Sequence, residues 1–190
     1  PTPTIGGVGL IKDYKKMISM DFKNEGNLVL ILGKTEGHLD QSIFAKDILS
    51  EKKGPPPKIN LFNEKNIGET VLKLIDQNLI DSCHDVSLGG ILIAIAKMCI
   101  KGRKGIKINP FKELINKFEY FFGEDQGRYV IELSKQNIEK TKLILEKNSV
   151  HYDEIGIIDK SKIIFDNSIN LSVDDIEKEN KTWLRKYMVN

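Results

Sequence analysis

Cysteine is scarce: Cys83 and Cys99 are the only two in 190 residues, in apolar surroundings and without metal-ligand spacing. A disulfide framework and a cysteine-built metal centre are therefore excluded, and two reduced core thiols are expected. Long apolar runs are missing as well. The longest nearly apolar stretch, 91–100, is interrupted by Lys97 and is about half of the roughly 20 residues that a bilayer-crossing helix needs. It reads as a buried helix, with no membrane partner. Nor does one sign of charge prevail, since 29 basic and 27 acidic side chains leave a net charge of +2. No broad positive field for nucleic acid follows, and the small cluster at Lys101, Arg103 and Lys104 has no interleaved aromatics for bases to stack on. The chain does not begin with methionine, nor with a basic stretch feeding an apolar segment. A secretory precursor is not expected, and the sequence reads as a piece of something longer.

What is present describes an ordinary globular domain. Hydrophobic residues make up 40% and charged residues 29%, enough apolar material for one core at this length but not for two. A single domain over 1–190 is expected, with 1–12 as an interdomain connection. Its opening Pro1-Thr2-Pro3-Thr4 is held extended by proline geometry and followed by Gly6, Gly7 and Gly9.

Leu28–Leu32 has the length of a buried strand and stops at Gly33. Leu39, Ile43, Phe44 and Ile48 predict a helix that Gly54-Pro55-Pro56-Pro57 terminates as a rigid loop. Ile67, Val71, Leu74 and Ile75 mark an amphipathic helix ending near Asn78. Residues 79–86 predict a strand, 87–90 a turn and 91–100 the buried helix. Further strands are expected at Gly105–Ile108, over the aromatic run 118–122, and at 128–133, with a helix at 138–145. Residues 152–158 and Lys162–Phe165 predict a hairpin turning at 159–161. A last helix from Asp174 to Tyr187 has Ile176, Trp183, Leu184 and Tyr187 as its buried stripe and Ser172 as N-cap. Strands and helices that mix without strict alternation predict an α+β fold, a mixed β-sheet covered by α-helices.

Two segments carry candidate chemistry. In His84-Asp85-Val86-Ser87-Leu88-Gly89-Gly90 a strand runs into a helix through two glycines. The unpaired N–H groups of such a helix start attract an anion, and His84 with Asp85 has the make-up of an acid–base pair. The alternative is structural: Asp85 or Ser87 caps the helix and the glycines let it pack closely. In Phe122-Gly123-Glu124-Asp125-Gln126-Gly127-Arg128, two carboxylates and an amide offer oxygens and donors to a metal or ligand. Its alternative is a solvated loop between strands. The glycine-rich opening lacks the lysine and hydroxyl of a phosphate loop, and His38 and His151 stand apart from any such motif.

Together with the opening decapeptide through Leu10, Glu25-Gly26-Asn27, Gly33-Lys34-Thr35 and Gly54-Pro55-Pro56-Pro57, these segments occur in one order along the whole chain. In that order the sequence resembles the phosphoribosylformylglycinamidine synthase family, within the aminoimidazole-ribonucleotide-synthetase (AIR synthase) superfamily. The resemblance implies an AIR-synthase C-terminal-domain-like fold at the end of a longer cytoplasmic polypeptide. That polypeptide uses ATP, magnesium and ammonia from a glutaminase to convert the amide of formylglycinamide ribonucleotide into an amidine during purine biosynthesis. It also implies that the catalytic histidine and most nucleotide and magnesium contacts lie in upstream domains. No catalytic or metal residue is then expected here, and no cofactor is expected on this chain alone. Glu124, Asp125, Gln126, His84, Asp85 and Ser87 are the positions at which a substrate or auxiliary ligand is expected. Two residues depart from the family pattern, Leu88 where aspartate is usual and Asp125 where serine is usual. A nucleotide-sensing or subunit-docking module, or the C-terminal domain of another member of the superfamily, is the alternative.

Overall fold

The computed structural model describes residues 4–110, 115–165 and 169–189, so Pro1, Thr2 and Pro3 of the expected connection lie outside the described residues. Seven strands form one mixed sheet: β1 (Leu28–Leu32), β2 (Ser82–Asp85), β3 (Gly105–Ile108), β4 (Tyr129–Leu133), β5 (Tyr152–Asp159), β6 (Lys162–Phe165) and β7 (Ile169–Ser172). Their spatial order is β2-β4-β1-β5-β3-β6-β7. Only β3 and β6 run parallel, and every other neighbouring pair is antiparallel. The helices are α1 (Ile43–Asp47), α2 (Leu61–Asp76), α3 (Gly90–Gly102), α4 (Lys117–Phe122), α5 (Ile138–Lys147) and α6 (Val173–Val189).

The central strand β1 is buried along its whole length because helices cover both faces of the sheet. Successive side chains of a strand point to opposite faces. Leu28, Leu30 and Leu32 accordingly join Ile67, Val71 and Leu74 of α2 and Leu145 of α5 in one cluster. Val29 and Ile31 join Ile91, Ala94, Ile95 and Met98 of α3 and Phe121 of α4 in the other. The mixed sheet under helices is as the sequence predicts.

Several local expectations are corrected. The aromatic run 118–122 is the helix α4, where Asn116 and Glu119 form a capping box. At helical spacing Phe118 and Phe122 both stack on Phe44, at 5.7 and 4.8 Å between ring centroids, while Phe121 turns into the core. Contacts to both sides of the segment outweigh the strand preference of its residues. The expected hairpin of β5 and β6 does not form, because β3 lies between them, with Ile106 opposite Ile158 on one side and Ile163 on the other. The hairpin is instead β6 with β7, a strand the sequence pattern missed. Helix α1 is one short turn beginning at a Ser42 cap, and Ile43 and Ile48 are exposed. In α6 Val173 is buried and Ile176 packs against the core, but Trp183, Leu184 and Tyr187 are 58–67% exposed and stack or stand outside it.

Candidate functional site

The register of three strands brings the two candidate segments together. Leu32, the last residue of β1, and Asp85, the last of β2, both lie opposite Tyr129, the first of β4. The loop after β1 (33–42), the turn after β2 (86–89) and the loop before β4 (123–128) therefore meet at one end of the sheet.

Asp125 is the centre of this meeting. Its carboxylate accepts backbone N–H groups from Glu36 at 3.2 Å, Gly37 at 3.0 Å and His38 at 3.1 Å. Arg128 lies beneath it, 1% exposed, and donates from Nε to the Asp125 carbonyl, from Nη2 to the Gly123 carbonyl and from Nη1 to Thr35 Oγ1. The guanidinium and the Asp125 carboxylate are 3.6 Å apart. Burial pulls the Arg128 pKa below its ordinary value, and the Asp125, Tyr120 and Glu124 charges oppose that pull. A buried arginine is stable in such a place because its planar fork finds an acceptor in every direction. Gly33 makes room for it: its φ is +90°, and a side chain there would run into the Gly127 carbonyl and Arg128.

Glu124 ties the other two loops. One of its oxygens, Oε1, accepts the N–H of Gly89 at 2.8 Å and that of Ile43 at 2.9 Å, the starts of α3 and α1. Neither Asp85 nor Ser87 caps α3; Gly89 holds the cap position in the left-handed conformation, with no side-chain cap of its own. The carboxylate comes from across the site instead, where it meets the positive end of the helix. Leu88 and Ser87 are exposed on this turn.

His84 and Asp85 do form a pair, with Nδ1 and the carboxylate oxygen 3.0 Å apart. His84 Nε2 is buried without a hydrogen-bond partner. Burial lowers the His84 pKa, with Lys97 adding to the effect and Asp85 opposing it.

A cavity of about 930 Å³ opens beside the Asp125 knot, lined by Lys34, His38, Pro56, Asn60, Asn63 and Gln126 among others. It gathers three of the segments singled out from sequence, the Gly33-Lys34-Thr35 turn, the proline loop and the 122–128 loop, whereas His84, Asp85 and Ser87 do not line it. Of the three residues Glu124, Asp125 and Gln126, the first two spend carboxylate oxygens on backbone N–H groups, and Gln126 is exposed at the cavity. His38 stands apart from the motifs in sequence, but its amide is held by Asp125, its ring Nε2 lies 3.0 Å from the Pro55 carbonyl, and it walls the cavity. The sequence signal for Arg128 was present, a basic residue closing a glycine-flanked acidic loop, and its burial was not legible from that.

Three N–H donors occupy both oxygens of the Asp125 carboxylate, which leaves it little lone-pair capacity for a magnesium ion, and among the described residues no three His, Cys, Asp or Glu side chains converge on one point.

Residues 24–166 match the family model for the AIR synthase related protein, C-terminal domain. Over 190 residues the chain is 60% identical to the phosphoribosylformylglycinamidine synthase subunit PurL of Pelagibacter ubique, covering all of this chain and 26% of that protein. The chain thus spans about a quarter of the length of the curated relatives it matches. Thermotoga maritima PurL complexed with FGAR shares the fold with a TM-score of 0.72 at 19% identity, over 86% of this chain and 30% of that one. The same protein complexed with ATP gives 0.66 at 18%, over 86% and 28%.

Proposed function

Because this chain belongs to the AIR synthase related family, as its C-terminal domain, we propose that it serves as a framework domain of a phosphoribosylformylglycinamidine synthase in cytoplasmic purine biosynthesis. Similarity to PurL over the full length of the chain supports this above other members of the superfamily. The whole enzyme activates the amide oxygen of formylglycinamide ribonucleotide with ATP, and ammonia then displaces the phosphorylated oxygen to give the amidine. ATP and magnesium supply that activation when bound elsewhere in the polypeptide, and a glutaminase partner supplies the ammonia.

The observation that carries the framework reading is the commitment of the acidic pair. Glu124 and Asp125 together accept five backbone N–H groups from residues 36, 37, 38, 43 and 89. These bonds hold the loops at this end of the sheet together and occupy both oxygens of Asp125 and Oε1 of Glu124. What this chain does is to present Gln126, His38 and Lys34 on fixed loops to whatever domain or ligand faces them. The isolated chain, given ATP, magnesium, ammonia and formylglycinamide ribonucleotide, is expected to show no turnover above background; turnover would refute the reading.

The cavity itself favours a second reading, an auxiliary nucleotide site that senses rather than reacts, because Gln126 and the Asn60 and Asn63 amides leave hydrogen-bonding groups open to it. Calorimetric titration with ADP and magnesium decides: heat with a matching thermal shift supports sensing, and the absence of both eliminates it.

A further inference from the structure

The fully buried Glu132, on β4, belongs to none of the segments above. Its carboxylate accepts four hydrogen bonds: Oε2 takes the Lys23 N–H at 2.8 Å and the Ser82 hydroxyl at 2.9 Å, and Oε1 takes the Asn24 N–H and the Asn27 side-chain amide, both at 2.9 Å. All four partners are neutral donors, and the Lys23 ammonium turns away to Ser19 and Asp21. A carboxylate taken wholly out of water is stable only where such donors replace its hydration. Three of the four come from residues 23–27, which makes the carboxylate the floor on which that segment rests.

The segment is the root of the amino-terminal arm. Ahead of it, Ile5, Val8 and Leu10 are 93–101% exposed, and no atom lies within 4 Å of the Cβ positions of Gly6, Gly7 and Gly9. Behind the arm, Ser19 bridges to Ser82, Phe22 is buried against α3, and Asn27 also binds Asp81. We propose that Glu132 is the anchor that fixes where the arm leaves the sheet, and hence the direction in which any preceding part of the polypeptide is held. Strand β4 then carries the root of the arm at Glu132 and begins next to Arg128, which holds the cavity loops. Residues 128, 130 and 132 fall on one face of it by strand alternation.

Glu132→Gln tests this in the full 190-residue chain. A glutamine keeps the shape but turns an N–H₂ toward one of the two pairs of donors, so that one pair is orphaned. Hydrogen exchange at Lys23 or Asn24 is expected to accelerate by roughly tenfold or more, with the amides of Val29 and Ile31 in β1 little changed. Equal acceleration at β1 would show that Glu132 is general core and overturn the proposal, as would unchanged exchange at residues 23 and 24. Should Glu132→Gln fail to fold, Ser82→Ala removes one donor and leaves the carboxylate. A smaller acceleration confined to residues 23 and 24 then supports the anchor, and a change spread over β1, or none, overturns it.

Discussion

The Asp125 carboxylate and the Gly37 amide lie 3.0 Å apart across 88 positions of sequence. With the bonds to Glu36 and His38 on either side, this contact makes the loop after β1 and the loop before β4 one object. The proline loop and the start of α2 close the cavity against that object. The rest of the account depends on those loops being fixed before any ligand or neighbouring domain arrives.

The turn into α3 is closely packed against the end of α4. Gly90 has a φ of +71°, and a Cβ there would lie 2.7 Å from the Phe121 carbonyl oxygen and 2.7 Å from the Phe122 carbonyl carbon. Gly90→Ala is expected to destabilise the domain by more than the about 1 kcal/mol of left-handed strain alone, because backbone cannot move aside as a side chain can. Urea unfolding measures it.

Leu74 is fully buried between α2 and the sheet. Leu74→Ala is expected to cost about 2–5 kcal/mol, the usual range for a buried leucine that leaves a cavity. The midpoint of denaturant unfolding should fall without a change in slope.

Both thiols are free, and burial pushes each pKa up to about 12. At pH 8 almost no thiolate exists in the fold, so a thiol reagent should label neither Cys83 nor Cys99 quickly, and both on unfolding.

His84 gives the acid limb of stability one identifiable source. Burial holds its folded pKa below the ordinary value of about 6.5, so the unfolded chain binds more protons as pH falls. The stability it contributes is whole above about pH 6.5 and is lost as pH drops through the folded pKa. His84→Gln should flatten the decline of stability below about pH 6.5, as read by thermal unfolding at falling pH.

Much of this was legible in the sequence, for reasons that differ by element. The five buried residues of β1 follow from a short apolar run stopped at Gly33, and the stripe Ile67, Val71, Leu74 from helical periodicity. The run 118–122 defeated the same reasoning because what decides it lies elsewhere in the chain: Phe44 offers a ring to two of its aromatics, and a cap at Asn116 starts the turn. The β5–β6 pairing failed because nothing local announces that β3 inserts between them. At the site, spacing singled out Glu124, Asp125 and Gln126, but it could not tell that the two carboxylates face amides from residues 36–43 and 89. Partners so remote in sequence leave no local pattern, and the burial of Arg128 and Glu132 was not legible for the same reason.

Hydrogen exchange in an Asp125→Asn variant tests the framework role most directly. Asparagine keeps the shape but sets an N–H₂ where amides now donate, and it leaves the Arg128 charge without its carboxylate neighbour. The account predicts that either the amides of Glu36 and Gly37, which share Oδ2, or the amide of His38, which donates to Oδ1, lose protection by roughly tenfold or more while those of β1 keep theirs. Full protection of residues 36–38 in the variant would contradict it and return Asp125 to the role of a free ligand-binding carboxylate.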